Sequence, residues 1–234
     1  MIILNIETST DACSAALTED GSVMTDAEGR ALARLTPEKS EHARELAVMA
    51  QELTEAARRM GKTIDAVSVS AGPGSYTGLR IGASTAKGIA YGLQIPLLAI
   101  PTLQIMAAKA KAQGAEGMLC PMIDARRMEV YDALYDGALE ELHPAEATVV
   151  DGQSYSEWLE KGPVCFFGNG SDKCKAVLTH PNARFMEGIV PDAAYMGRLA
   201  EAVFAKGDFA DVAYWTPFYL KEFEAKVSVV KGLK

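Results

Sequence analysis

The chain has 234 residues, of which 49% are hydrophobic and 23% charged, with 23 basic against 31 acidic side chains and a formal charge of -8. That is apolar material for one domain or two small ones, and an acid excess of this size offers no general attraction to nucleic acid or to an anionic membrane. The N-terminus MIILNIETST has no basic lead, and no stretch approaches the ~18 uninterrupted apolar residues of a membrane span, so a cytoplasmic protein without signal peptide or membrane segment is expected.

Ile2 to Ile6 and Cys13 to Leu17 read as strands joined by the polar turn Glu7-Thr8-Ser9-Thr10-Asp11, and Asp20-Gly21 is a hairpin signal. Pro37 to Met60 predicts a long amphipathic helix: Leu46, Met49, Leu53, Ala57 and Met60 recur at helical spacing and Gly61 stops it. That narrow stripe suits either a core-facing surface or a helix-helix seam. Ile64 to Ala71 is a strand that runs into the glycine-rich turn holding Gly72, Gly74 and Gly78. There the missing Cβ atoms and the following helix dipole would suit an anion, or only a tight turn. Gly72 to Gly78 reads G-x-G-x-x-x-G, one residue longer than the dinucleotide fingerprint, and no G-x-x-x-x-G-K-[ST] run exists. Ser75 or Thr77 caps the helix from Thr77 to Gly92. Its Gly78, Gly82, Ala86 and Ala90 lie on one face, with Ala83 beside them, open to the chain's own sheet or to a helix of another subunit. Pro96 to Ile100 is a further strand and Thr102 to Gln113 a helix, an alternation that implies parallel pairing.

Past a boundary at Gly114 to Gly117, which divides the chain into 1–114 and 115–234, Met118 to Ile123 and Met128 to Tyr135 read as strands around Asp124-Ala125-Arg126-Arg127. Asp124 with the two arginines suits either a clamp for an anionic substrate or a solvated, internally paired turn. Pro144 to Gly162 is mixed, Val164 to Phe167 is a short strand before Gly168-Asn169-Gly170-Ser171, and Pro191 to Lys206 is a helix. Arg126, Arg127 and the tail from Lys221 to Lys234 are the only local basic groupings. The glycine-rich 168–171 segment suits a second phosphate loop or a plain turn. Cys13, Cys120, Cys165 and Cys174 form no C-x-x-C pair and suit reduced, buried thiols. His42, His143 and His180 have no zinc-site spacing, and G-x-S-x-G is absent, so neither a zinc hydrolase nor a serine hydrolase is indicated.

ILNIETST, then GPGSYTGLRIG with AKGIAYG, then MIDARRMEVY and PFYLKE, in this order along nearly the whole chain, resemble the TsaB (YeaZ) family. The resemblance implies an α/β fold of the actin-like, Hsp70-like ATPase (ASKHA) class with two related lobes. It implies a non-catalytic scaffold or dimerisation subunit in threonylcarbamoyl transfer to the adenosine beside the anticodon of tRNA, with the catalytic, metal-holding paralogue TsaD and the ATPase TsaE as partners. It leaves open a monomer or a homodimer in isolation, and implies tRNA reached only through the complex, no cofactor on its own, and ATP or ADP only in the assembled complex. Glu7, Thr8, Ser9, Gly72, Gly74 and Ser75 are its weak nucleotide-loop candidates. His42, Leu46, Met49, Leu53, Gly78, Arg80, Gly82 and Ala86 are its interface candidates. Two departures stand out: Glu7 replaces the family's usual aspartate, and Ala43 replaces the serine after His42. The competing class is a free-standing ATP-dependent kinase of the same fold, or a degenerate glycoprotease-like peptidase, the latter without the metal-ligand histidines.

Overall fold

The computed structural model describes residues 1–36 and 42–221, for His42 the backbone alone. Ile2–Glu7 (β1) and Cys13–Glu19 (β2) pair antiparallel, and β2 turns at Asp20-Gly21, both with positive φ, into Ser22–Val23 (β3). Ala33–Thr36 (β4), a strand that the sequence pattern does not announce, pairs with the other half of β2. His42–Arg59 (α1) leads to Ala66–Ser70 (β5), Tyr76–Leu93 (α2) leads to Leu97–Ile100 (β6), and β5 lies parallel to both β1 and β6. The break in the first apolar run, Asn5, is fully buried: its amide donates to Thr18 Oγ1 at 2.9 Å and its carbonyl oxygen accepts from Ser68 Oγ at 2.7 Å. A buried amide so satisfied pins β1 to both neighbours in one register.

Thr102–Ala112 (α3) follows, and the second sheet is then made from Met118–Asp124 (β7), Glu129–Tyr135 (β8), Glu141–Val149 (β9), Val164–Phe167 (β10) and Ala183–Met186 (β11). The short helix Ser156–Lys161 (α4) and a 3₁₀ turn at Asp172–Cys174 stand where α1 and α2 stand in the first half. Counted in chain order, with β3 and β4 as one edge, both sheets read 3-2-1-4-5. In each, the first three strands run antiparallel to their neighbours and the last two parallel to the first. The two lobes are thus the same topology built twice, as the actin-like class requires.

The helices ignore the boundary that separates the strands. α3, encoded before it, packs Leu103, Met106, Ala107 and Ala110 against Leu119, Ile123 and Phe167 of the second lobe, and its Ile105 against Ile3 and Leu98 of the first. The segment from Pro191 to Lys206 is not one helix. Asp192 caps a 3₁₀ turn at Ala193–Tyr195, and Gly197–Lys206 (α5) then packs Ala200 onto the first sheet beside Ile3 and Ile100. Lys109 of α3 and Asp192, both nearly buried, pair at 3.0 Å and tie the two crossings together. In α1, Leu46, Met49, Leu53 and Ala57 enter the first core, whereas Met60, expected in the same stripe, lies past the last turn and is exposed. The expected start of that helix at Pro37 falls outside the described residues.

Candidate functional site

The end of β1 lies against the first turns of α2, and this contact accounts for the glycines. Thr8 Oγ1 donates to the Gly78 carbonyl at 2.8 Å, and a Cβ on Gly78 would overlap the Thr8 carbonyl oxygen. A Cβ on Gly82 would strike Thr8 Oγ1, and one on Gly74 the Ser9 carbonyl oxygen, which already accepts from the Ser75 N–H at 2.6 Å. Ser75 is the cap, its Oγ accepting from the Gly78 N–H at 3.3 Å. Gly72, at φ +100°, is covered from the other side by Phe218. The Phe218 carbonyl takes the place a Cβ would need, the Phe218 N–H donates to Ala71 O at 2.7 Å, and the Tyr219 ring stacks on Tyr76 at 4.9 Å. The structure thus brings Glu7, Thr8, Ser9, Gly72, Gly74 and Ser75 together, with the Ser75 N–H already given to the Ser9 carbonyl and the Phe218 carbonyl close against Gly72.

Glu7 is fully buried, and desolvation pushes its carboxyl up to about 7, opposed by hydrogen bonds from the Ser9 hydroxyl and from the Ser9 N–H at 2.6 Å. The longer side chain that replaces the family's aspartate folds back onto its own turn. Among the described residues no three His, Cys, Asp or Glu side chains gather as metal donors.

Of the expected interface residues, Leu46, Met49, Leu53, Gly78, Gly82 and Ala86 are buried within the chain, so the small-residue stripe of α2 serves its own sheet and β1 turn. Arg80 is exposed, and His42 opens α1 with its side chain outside the described residues. The outward face of α2 joins the expected Arg80 to five residues that the sequence did not single out as a surface, Tyr76, Thr77, Ile81, Ser84 and Thr85, which form with Arg80 and with Ala43 of α1 an open groove of ≈ 440 Å³. Their own four-residue spacing, Tyr76-Arg80-Ser84 beside Thr77-Ile81-Thr85, was the available signal. Arg80 lies 5.4 Å over the Tyr76 ring. Ala43, the second family departure, stands at the rim.

The second lobe repeats the arrangement with different side chains. Its first turn is Asp124 to Met128, and the loop that packs on it is Gly168 to Ser171, with Asn169 Oδ1 accepting from the Asp124 N–H at 2.9 Å and Gly170 N–H donating to Met122 O at 3.0 Å. Ser171 N–H and Oγ both return to the Gly168 carbonyl, the geometry of a plain turn. The four cysteines are free and buried.

A family model described as TsaD, tRNA N6-adenosine threonylcarbamoyltransferase, matches residues 36–214. The tRNA threonylcarbamoyladenosine biosynthesis protein TsaB of Bacillus subtilis is 29% identical over 100% of both chains, and that of Escherichia coli 31% identical over 94% of this chain and 95% of its own. The structure of YeaZ from Pseudomonas aeruginosa superposes with a TM-score of 0.75 at 29% identity, covering 94% of this chain and 99% of its own.

Two outcomes follow from this geometry. Gly78→Ala forces a Cβ against the Thr8 carbonyl and lowers unfolding free energy by about 3 kcal/mol in urea titrations, while Gly88→Ala, in the same helix with nothing within 4 Å, raises it by about 0.5–1 kcal/mol. For Glu7, the folded carboxyl at about 7 lies above its ordinary 4.5, so the unfolded state ionises first. Its contribution is therefore fully present below pH 4.5 and is lost as pH rises to 7, a change of about 3 kcal/mol. Glu7→Gln flattens that part of the stability-pH curve, leaving the smaller slope of the buried Asp132, whose carboxyl desolvation pushes up to about 6.

Proposed function

Because the chain belongs to the TsaB (YeaZ) family, we propose that it is a non-catalytic subunit of the machinery that synthesises threonylcarbamoyladenosine on tRNA, working in the cytoplasm by binding and organising the catalytic paralogue TsaD together with TsaE. One observation carries this reading: α2 spends its small-residue face inward on Thr8 and the sheet and turns outward an unfilled groove shared with α1. The groove mixes an aromatic ring, an exposed arginine and an aliphatic side chain, Tyr76, Arg80 and Ile81, the composition of a protein-protein contact. A second copy takes the same surface in the isolated chain and yields it to the paralogue.

The rival reading, a free-standing kinase, requires a phosphate cradle, and of the N–H groups in this turn that of Ser75 is already bonded to the Ser9 carbonyl and that of Gly78 to the Ser75 hydroxyl. In the proposed role the lone chain binds ATP weakly, and any ATP or ADP site is completed by a partner.

Ser84→Arg tests the surface, since Ser84 is exposed on α2 and its replacement leaves the core untouched. The variant is expected to melt as the parent does and to lose co-purification with TsaD by tenfold or more. Retained co-purification sinks the proposed docking face. Reconstitution with TsaD, TsaE, the threonylcarbamoyl-adenylate synthase and tRNA, omitting this chain, is expected to abolish modification. A tight one-to-one calorimetric titration of ATP and Mg²⁺ into the lone protein would favour the kinase.

A further inference from the structure

The β7–β8 turn is the second lobe's counterpart of the Glu7 to Asp11 turn, yet its Asp124, Arg126 and Arg127 are exposed where Glu7, Thr8 and Ser9 are buried. Its Arg126 and Arg127 are exposed and hold φ of 76° and 49°. Left-handed backbone is unfavourable for residues with a Cβ and is left to glycine or asparagine where nothing else is asked of the turn. Nor does internal pairing explain the arginines. Asp124, the carboxylate of the turn, is engaged by Lys173, whose ammonium also donates to the Glu129 carbonyl at 2.6 Å, and Glu129 is paired with Lys221. Neither guanidinium has a hydrogen bond or ion pair among the described residues. The result, on a chain of net charge -8, is a protruding tip where Arg126, Arg127, Lys173 and Lys221 surround Asp124 and Glu129.

We infer that this tip is a contact for the phosphodiester backbone of an RNA, made when the assembled complex presents its tRNA. The inference rests on the proposed role in tRNA modification. The tip is an exposed turn with two adjacent planar cations. A free nucleotide asks for a concave pocket, whereas a polyanion is held by exposed cations through charge neutralisation and bidentate phosphate contacts. Two such contacts are too few to hold RNA on an otherwise acidic chain, so the site acts as an auxiliary grip within the complex.

The test replaces both arginines with asparagine, R126N/R127N, which tolerates left-handed backbone and removes the charge. The assembly with TsaD and TsaE is titrated with tRNA by filter binding from about 50 to 200 mM salt. The slope of log K against log salt is expected to become shallower by about 1.4–1.8, roughly tenfold in affinity change across that range. Melting temperature should stay level or rise, co-purification with TsaD should be unchanged, and R126K/R127K should recover most of the slope. An unchanged slope in an intact assembly overturns the inference. So does loss of TsaD co-purification, which would make the tip a protein contact, or a loss of affinity for ATP or inorganic phosphate equal to that for tRNA, which would make it a small-anion site. Should the parent chain form no assembly, the scaffold role fails and takes this contact with it, whereas an unchanged slope in an assembly that does form overturns the contact alone.

Discussion

The backbone at Thr8 lies directly against the first two turns of α2, and much else is arranged around this contact. A helix can come that near a strand end only if the residues facing it have no side chain, which is why Gly74, Gly78 and Gly82 stand at four-residue steps. Gly78 and Gly82 lie within the helix, where glycine costs about 1 kcal/mol relative to alanine, and Gly74 lies just ahead of its cap. The return is the Thr8 hydrogen bond to the Gly78 carbonyl and the direct seating of Ala86 and Ala90 on the sheet beneath. Once α2 is so placed, its rotation about its own axis is fixed. The face with Tyr76, Arg80 and Ser84 must then point to solvent.

The same fixing extends across the lobes. Phe218 closes over Gly72, Tyr219 rests on Tyr76, and Lys221 reaches Glu129, so the PFYLK segment runs from the glycine loop of the first lobe to the hairpin of the second. With α3 packed on the second sheet and α5 on the first, each half ends by crossing to the other, and the nearly buried Lys109–Asp192 pair sits where the crossings meet. Losing either partner of such a pair would strand a charge away from water, a larger penalty than the pair's own net contribution. The lobes are thereby held by covalent crossing, apolar contact and a specific ion pair at once.

Most regular elements were legible from periodicity, because buried parallel strands are continuous apolar runs and amphipathic helices repeat at helical spacing. β9 was not: as an edge strand of the second sheet, Glu141–Val149 alternates partly buried and exposed residues and carries Pro144, which reads as loop. β4 and β11, of four residues each, are too short to show a period. The repeated lobe topology left no repeated sequence, since α2 in one half corresponds to a three-residue 3₁₀ turn in the other. At the site, the glycines were visible but their partner was not. Nothing local in sequence says that Thr8, some seventy residues away, is what a Cβ would strike. A stripe of small residues marks close approach without saying to what, and here intramolecular packing claimed it.

The two corresponding turns show how one topology divides its labour. In the first lobe the turn after the first strand is buried, and its carboxylate, Glu7, bonds to its own Ser9 in a setting that favours the protonated form. In the second, the carboxylate Asp124 is partly exposed, and although burial works against it, hydrogen bonds from Lys173 and the Arg126 N–H hold its carboxyl below the usual range. One turn is thus a packed element supporting a helix whose outer face carries Arg80 and Ser84 to solvent. The other is a charged, protruding element supported from below by the 168–171 loop, with its cations directed to water. Both are held by a loop at the same topological position, so the difference lies in what covers them. α2 is five turns long and lies over the first, while the 3₁₀ turn that replaces it at Asp172–Cys174 is too short to cover the second. The shortening of one helix therefore accounts for the exposure of Arg126 and Arg127.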